Sequence, residues 1–145
     1  MNGADYTARN EGCRLAAYQD TRGVWTIGYG CTGPDIGPGT LWSQAQAEQV
    51  FAERYALASD QAARDFGEPA WSSLDAVRQA GLADMAYQLG GAGLTGFTLM
   101  LAALRASHWP TAQDQCLASA YARQTPARAA RNAAIFLSGE WPASF

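Results

Sequence analysis

Residues 11–30 read EGCRLAAYQDTRGVWTIGYG, with carboxylates at Glu11 and Asp20 and a hydroxyl at Thr26. The residues just before, ADYTARN at 4–10, predict a short helix, with Glu11 in its last turn and Gly12 suited to the left-handed position past its end. A carboxylate there faces the negative end of the helix dipole, which raises its pKa. Asp20-Thr21-Arg22-Gly23 reads as a hairpin connection in which Gly23 supplies a positive φ. Val24, Thr26 and Gly28 should then share one face of a strand, and Trp25, Ile27 and Tyr29 the other. Thr26 would have small neighbours and room for a substrate or a water, and Asp20 would be open to solvent and ionised. One acid that stays protonated beside one that stays ionised is the arrangement glycoside hydrolysis needs. Each residue taken singly also has an ordinary role, since Asp suits turns, Glu suits helix ends and Thr suits strands.

Outward from this stretch, CTGPDIGPGT (31–40) reads as turns with a third short strand, closing a β region of roughly 14–40. Ser43 and Gln46 form a capping box for a helix from 44 to about 62, with Val50, Phe51, Tyr55 and Ala58 at helical spacing. Gly67-Glu68-Pro69 breaks the chain, and a helical lobe covers about 70–145. Ser72 or Ser73 should cap its first helix, which carries Leu74, Val77, Leu82, Met85 and Leu89 and stops at Gly90-Gly91. Gly81 in its interior costs about 1 kcal/mol against Ala, which points to close helix packing. A helix from Thr98 to Ala106 follows, then a short one capped by Thr111, then a long one capped by Thr125 with Pro126 at its first position. The expected architecture is α+β: one chain, mostly helical and two-lobed, with a small N-terminal antiparallel sheet.

The chain has 145 residues, 48% of them apolar, which is enough for a core. No apolar run reaches the length of a membrane span, and the N-terminus lacks the pattern of an export signal. All ten basic residues are Arg. Residues 1–100 hold six of them against eleven acids, while residues 101–145 hold four against two, so a basic C-terminal end beside a cleft could favour an anionic polymer. The net charge of −3 argues against nucleic-acid binding. Cys13, Cys31 and Cys116 show neither a disulfide framework nor metal spacing, and His108, the single His, reads as a helix-end residue. No metal or cofactor is expected, and a monomer is the default.

E-x8-D-x5-T followed by I-G-x-G resembles the signature of the phage-type lysozymes, glycoside hydrolase family 24. QAGLADMAYQLGGAGLTGFTLMLAAL (79–104) is similar to the family's central helix and following turn, and YARQTPARAARNAAIFLSGEW (121–141) to its C-terminal TPxRAxR helix. The resemblance implies a lysozyme fold and cleavage of peptidoglycan between N-acetylmuramic acid and N-acetylglucosamine, with inversion. Glu11 would be the acid, Asp20 would activate water, and Thr26 would help hold it. The two carboxyl groups should then lie about 6.5–9.5 Å apart. Arg128 matches the Arg that contacts the acid, and Arg131 reads as a surface charge. Thr32, Tyr87, Gln88 and Gln115 match cleft positions as substrate-binding candidates. Cys31 departs from the pattern, standing where many relatives carry His, and removes whatever ion pair that His makes. Cys13 and Cys31 read as small packed thiols, with a redox switch as the alternative. The chain would be made in the host cytoplasm and released through a holin, although a tail-associated or prophage lysozyme fits the same sequence. Two other functions compete: a lytic transglycosylase, which needs no water-handling Asp and Thr, and a domain that binds peptidoglycan without cleaving it.

Overall fold

The computed structural model describes residues 1–90 and 93–145. Helix α1 runs Gly3–Glu11, capped by Asn2, whose side chain accepts from the Asp5 N–H. Gly12 ends it at φ 66° and returns its N–H to the Ala8 carbonyl, as the sequence predicts. Strands β1 (Arg14–Gln19), β2 (Trp25–Gly28) and β3 (Cys31–Thr32) form one antiparallel sheet in that order. Tyr18 pairs with Thr26 and Gln19 with Trp25, and a bulge separates these pairs from Arg14 opposite Gly28.

Both faces of β2 are covered, since Thr26, Ile27 and Gly28 are all buried. A second layer covers the sheet. Trp42 donates its N–H to the Leu15 carbonyl, and a Cβ on Gly28 would lie 2.9 Å from the Trp42 ring and 3.6 Å from Ala47.

Helix α2 (Gln44–Phe66) starts where Ser43 accepts from the Gln46 N–H and runs one turn past the expected end. Helix α4 (Ala76–Leu89) is capped by Asp75, not by Ser72 or Ser73. Both serines lie within a separate short helix, α3 (Ala70–Ser73), which the sequence pattern does not distinguish from α4. Gly90 ends α4 at φ 81°, while Gly91 lies outside the described residues.

Helix α5 (Thr98–Arg105) is as predicted. Helix α6 (Trp109–Leu117) begins at His108 rather than Thr111, since Pro110 is tolerated in the first turn, where its missing N–H has no helical partner. Helix α7 (Ala120–Gln124) was not anticipated; Ser119 caps it. Helix α8 (Pro126–Ser138) follows Thr125, whose hydroxyl donates to the Tyr121 carbonyl instead of capping α8.

One apolar cluster joins the helices, with Leu82, Met85, Met100, Leu104, Ile135 and Phe136 at its centre. Helix α4 packs against α1, α2 and α8. Gly81 explains itself here: a Cβ would come 2.8 Å from the Phe136 ring. Among the described residues no helix is long and apolar enough to cross a membrane. The result is a mostly helical α+β fold with α4 running through the middle, one side chain from the end of α1.

Candidate active site

Helix α1 delivers Glu11 to a mostly enclosed position, where its side chain is 15% exposed. Arg128 of α8 donates from Nη1 to Glu11 Oε1 at 2.7 Å. On the other side stands Gly30, φ 74°, whose absent side chain leaves room for Glu11 Oε2; a Cβ there would clash with that oxygen. The turn carrying Gly30 is itself held, because the Tyr87 hydroxyl of α4 donates to the Tyr29 carbonyl at 2.5 Å.

The Glu11 carboxyl is pushed above its ordinary value of 4.5. Burial is the largest cause, the Arg128 charge and hydrogen bond oppose it, and the Asp84 charge adds to it. In sequence the helix end and Arg128 pull Glu11 in opposite directions, and it is loss of water on burial that decides the shift.

Arg128 does not belong to Glu11 alone. Its Nε and Nη2 donate to the two oxygens of Asp84 at 2.9 and 2.8 Å. Asp84 is fully buried and also accepts from Asn132 Nδ2 at 2.9 Å and Asn10 Nδ2 at 3.3 Å. Asn132 in turn accepts from the Tyr6 hydroxyl at 2.7 Å, and its Nδ2 lies 2.9 Å from the Tyr121 hydroxyl oxygen. Burial works against the Arg128 charge, but the hydrogen bonds and charge of Asp84, then those of Glu11, outweigh it and hold Arg128 above its ordinary range. The sequence reading missed Asp84. Its one signal was a lone acid inside the apolar run of residues 80–86. Arg131, expected as a surface charge, turns inward and donates to Asn10 Oδ1 at 2.8 Å.

Asp20 opens the β1–β2 turn. Its Oδ1 accepts from the Val24 N–H at 2.9 Å and the Arg22 N–H at 2.8 Å, and its Oδ2 lies 3.4 Å from the Arg22 guanidinium. The Val24 hydrogen bond is the largest cause that holds the carboxyl below its ordinary value of 3.8; loss of water opposes it, and the hydrogen bonds and charge of Arg22 add to it. Asp20 therefore stays ionised, as expected. Thr26 differs from the expectation of open space: it is 4% exposed, and its hydroxyl donates to the Val24 carbonyl at 2.9 Å. With its proton committed, the Thr26 oxygen can act toward a water as an acceptor.

Thr32, Tyr87 and Gln88 share the lining of one cavity of about 520 Å³, together with Gly30 beside Glu11 and Arg22 beside Asp20. Tyr87 also packs on Phe51, ring centroids 5.5 Å apart, and its hydroxyl is occupied, so its freedom to stack on a sugar is restricted. Gln88 Oε1 is buried without a partner among the described residues. Gln115 is not in this cavity. It lines a separate pocket of about 210 Å³ between α5 and α6.

The arginines on the cavity wall are Arg22, Arg54 and Arg64, all from the acidic first hundred residues. None of the four C-terminal arginines, Arg105, Arg123, Arg128 and Arg131, lines this cavity. Cys31 is fully buried, 4.0 Å from the Tyr87 hydroxyl, and burial pushes its thiol up. Cys13 is exposed and not packed as expected, and all three thiols are free.

The sequence model of the family described as phage lysozyme matches residues 8–133. The chain belongs to the phage lysozyme family. It is also 30% identical, over 162 aligned positions, to the pre-baseplate central spike protein Gp5 of Enterobacteria phage T4. That alignment covers 96% of this chain and 28% of Gp5, so the chain spans little more than a quarter of that relative. The family match takes in Glu11, Asp20, Thr26, Asp84 and Arg128 together.

Proposed function

We propose that this member of the phage lysozyme family is an inverting muramidase. It hydrolyses the β-1,4 bond between N-acetylmuramic acid and N-acetylglucosamine in peptidoglycan, and so lyses bacterial cells. The observation that carries this reading is the contrast between the two carboxyls. Glu11 is enclosed and biased toward its protonated form, while Asp20 sits in a web of donors that favours the ionised form. Glu11 protonates the glycosidic oxygen as the C1–O bond breaks. Asp20 removes a proton from a water attacking C1 from the opposite face, and Thr26 accepts a hydrogen bond from that water. Inversion calls for about 6.5–9.5 Å between the carboxyl groups.

Thr32, Tyr87 and Gln88 contact the sugars, and the unpaired Gln88 oxygen suits an acetamido N–H. The enzyme works as a monomer without a cofactor. A water-handling Asp and Thr favour hydrolysis over a transglycosylase, and a poised acid favours an enzyme over a binding domain.

The test is clearing of a peptidoglycan suspension by wild type and Glu11→Gln. General acid catalysis contributes about 10²–10⁴-fold, so the variant should lose at least that factor while keeping its circular dichroism spectrum. A Glu11→Gln protein that clears at the wild-type rate contradicts the proposal.

Two routes bring the enzyme to the wall. One is release from the host cytoplasm through a holin. The other is carriage on a tail, supported by the likeness to a central spike protein. Mass spectrometry of purified virions separates them: finding the chain in the particle means carriage, and its absence means release.

A further inference from the structure

The cavity beside Glu11 has a wall built from one face of α2. Arg54, Leu57, Ala58, Gln61 and Arg64 all line it, at the three- and four-residue spacing of a single helix stripe. No Asp or Glu is among the described residues that line it. Arg54 spends one N–H on the Thr32 carbonyl at 3.1 Å, and Arg64 one on Gln61 Oε1 at 3.0 Å. Neither forms an ion pair among the described residues, so each keeps further N–H donors facing solvent. The acids of α2, Glu48, Glu53, Asp60 and Asp65, do not line the cavity, and Asp65 accepts from Gln61. Leu57 lies between the two arginines and is 67% exposed. Ten residues of helix place Arg54 and Arg64 about 15 Å apart, the span of four or five extended residues.

Where a peptide is attached, the lactyl carboxyl of muramic acid is tied up as an amide, and the glycan itself offers no negative charge to such a wall. The short peptide carried by each muramic acid does, since its free α- and terminal carboxyls are anionic. We propose that the Arg54–Arg64 face of α2 binds a carboxylate-bearing peptide, the branch attached to the glycan being cleaved. Guanidinium forks take carboxylates bidentately, and Leu57 takes apolar peptide side chains. This site rests on the peptidoglycan reading above and adds to it the part of the polymer that is recognised.

The test compares the full-length wild type with Arg54→Gln/Arg64→Gln on two substrates: intact peptidoglycan, and peptidoglycan whose carboxyls have been capped as methylamides by carbodiimide coupling. On the intact wall the double variant should show kcat/KM lower by at least about threefold with kcat unchanged, as expected for two solvent-facing ion pairs. On the capped wall the two proteins should match. Equal kcat/KM on the intact wall overturns the proposal. So does an equal loss by the variant on both walls, which would assign the arginines to the glycan or the fold. If wild type cleaves neither wall, the hydrolase reading fails by itself. Co-sedimentation with the two walls then decides the site: wild type alone should prefer the intact one, and equal preference in the variant refutes it.

Discussion

Arg128→Gln is the perturbation whose size the structure sets most clearly. The wild-type guanidinium gives two of the four hydrogen bonds to Asp84 and is its one ion-pair partner among the described residues. Asp84 is fully buried, so the variant strands a carboxylate away from water with two amide donors, those of Asn132 and Asn10. Breaking such a pair from one side costs about 3–5 kcal/mol. A glutamine amide can return one hydrogen bond worth about 1 kcal/mol, leaving a loss of about 3 kcal/mol. For a chain of this size that lowers the melting temperature by about 6–12 °C. Removing both charges in Asp84→Asn/Arg128→Gln should recover most of the loss, because the neutral amides strand no charge. Thermal unfolding followed by circular dichroism for the four proteins of this cycle gives the coupling. An Arg128→Gln melt within 2 °C of wild type, or additive effects in the cycle, would refute the reasoning.

Four further outcomes follow from the structure. Activity against pH should form a bell, failing as pH falls below about 3.8, where Asp20 begins to gain its proton, and failing again as pH rises through the Glu11 value above 4.5; an alkaline limb at or below 4.5 contradicts the raised value. The same raised value means that ionising Glu11 weakens the fold. The Glu11 contribution is full below pH 4.5 and lost as pH rises through the folded value, so Glu11→Gln should melt above wild type at pH 7 and level with it below pH 4.5. Gly30→Ala combines a left-handed backbone with a methyl group on Glu11 Oε2, so it should lose about 1–2 kcal/mol and most of its activity; wild-type clearing by this variant would show that Gly30 does not shape the acid's position. A thiol reagent should label one cysteine per native chain, Cys13, and three after unfolding, since Cys31 and Cys116 are buried and burial lifts the Cys116 thiol to about 12; rapid native labelling of more than one would contradict that burial.

The sequence carried much of this molecule where the signal was local. Gly12 and Gly23 each end or turn an element as their position suggests, and Asp20 makes the turn hydrogen bonds its side chain favours. It failed where the deciding contact lay far along the chain. Thr26 is buried, and its strand neighbour Gly28 meets the Trp42 ring, fourteen residues along the chain, a covering that strand alternation cannot reveal. Asp84 reaches Arg128 across 44 residues, so its role has no local pattern. Gln115 lines another pocket, between α5 and α6, which no local pattern around it signals. The direction of the Glu11 shift was open in sequence, since a helix end and an arginine oppose one another. Burial, which only the fold supplies, decides it.

The central claim is hydrolysis by two carboxylates with unlike protonation. Its most direct test is the chemistry of the ends released from purified peptidoglycan, scored for reducing sugars and for anhydro sugars by mass spectrometry, with Asp20→Asn alongside. The account predicts one new reducing end per bond cut by wild type, no anhydro ends, and almost no cleavage by the variant. Anhydro ends from wild type, or full cleavage by Asp20→Asn, would contradict it.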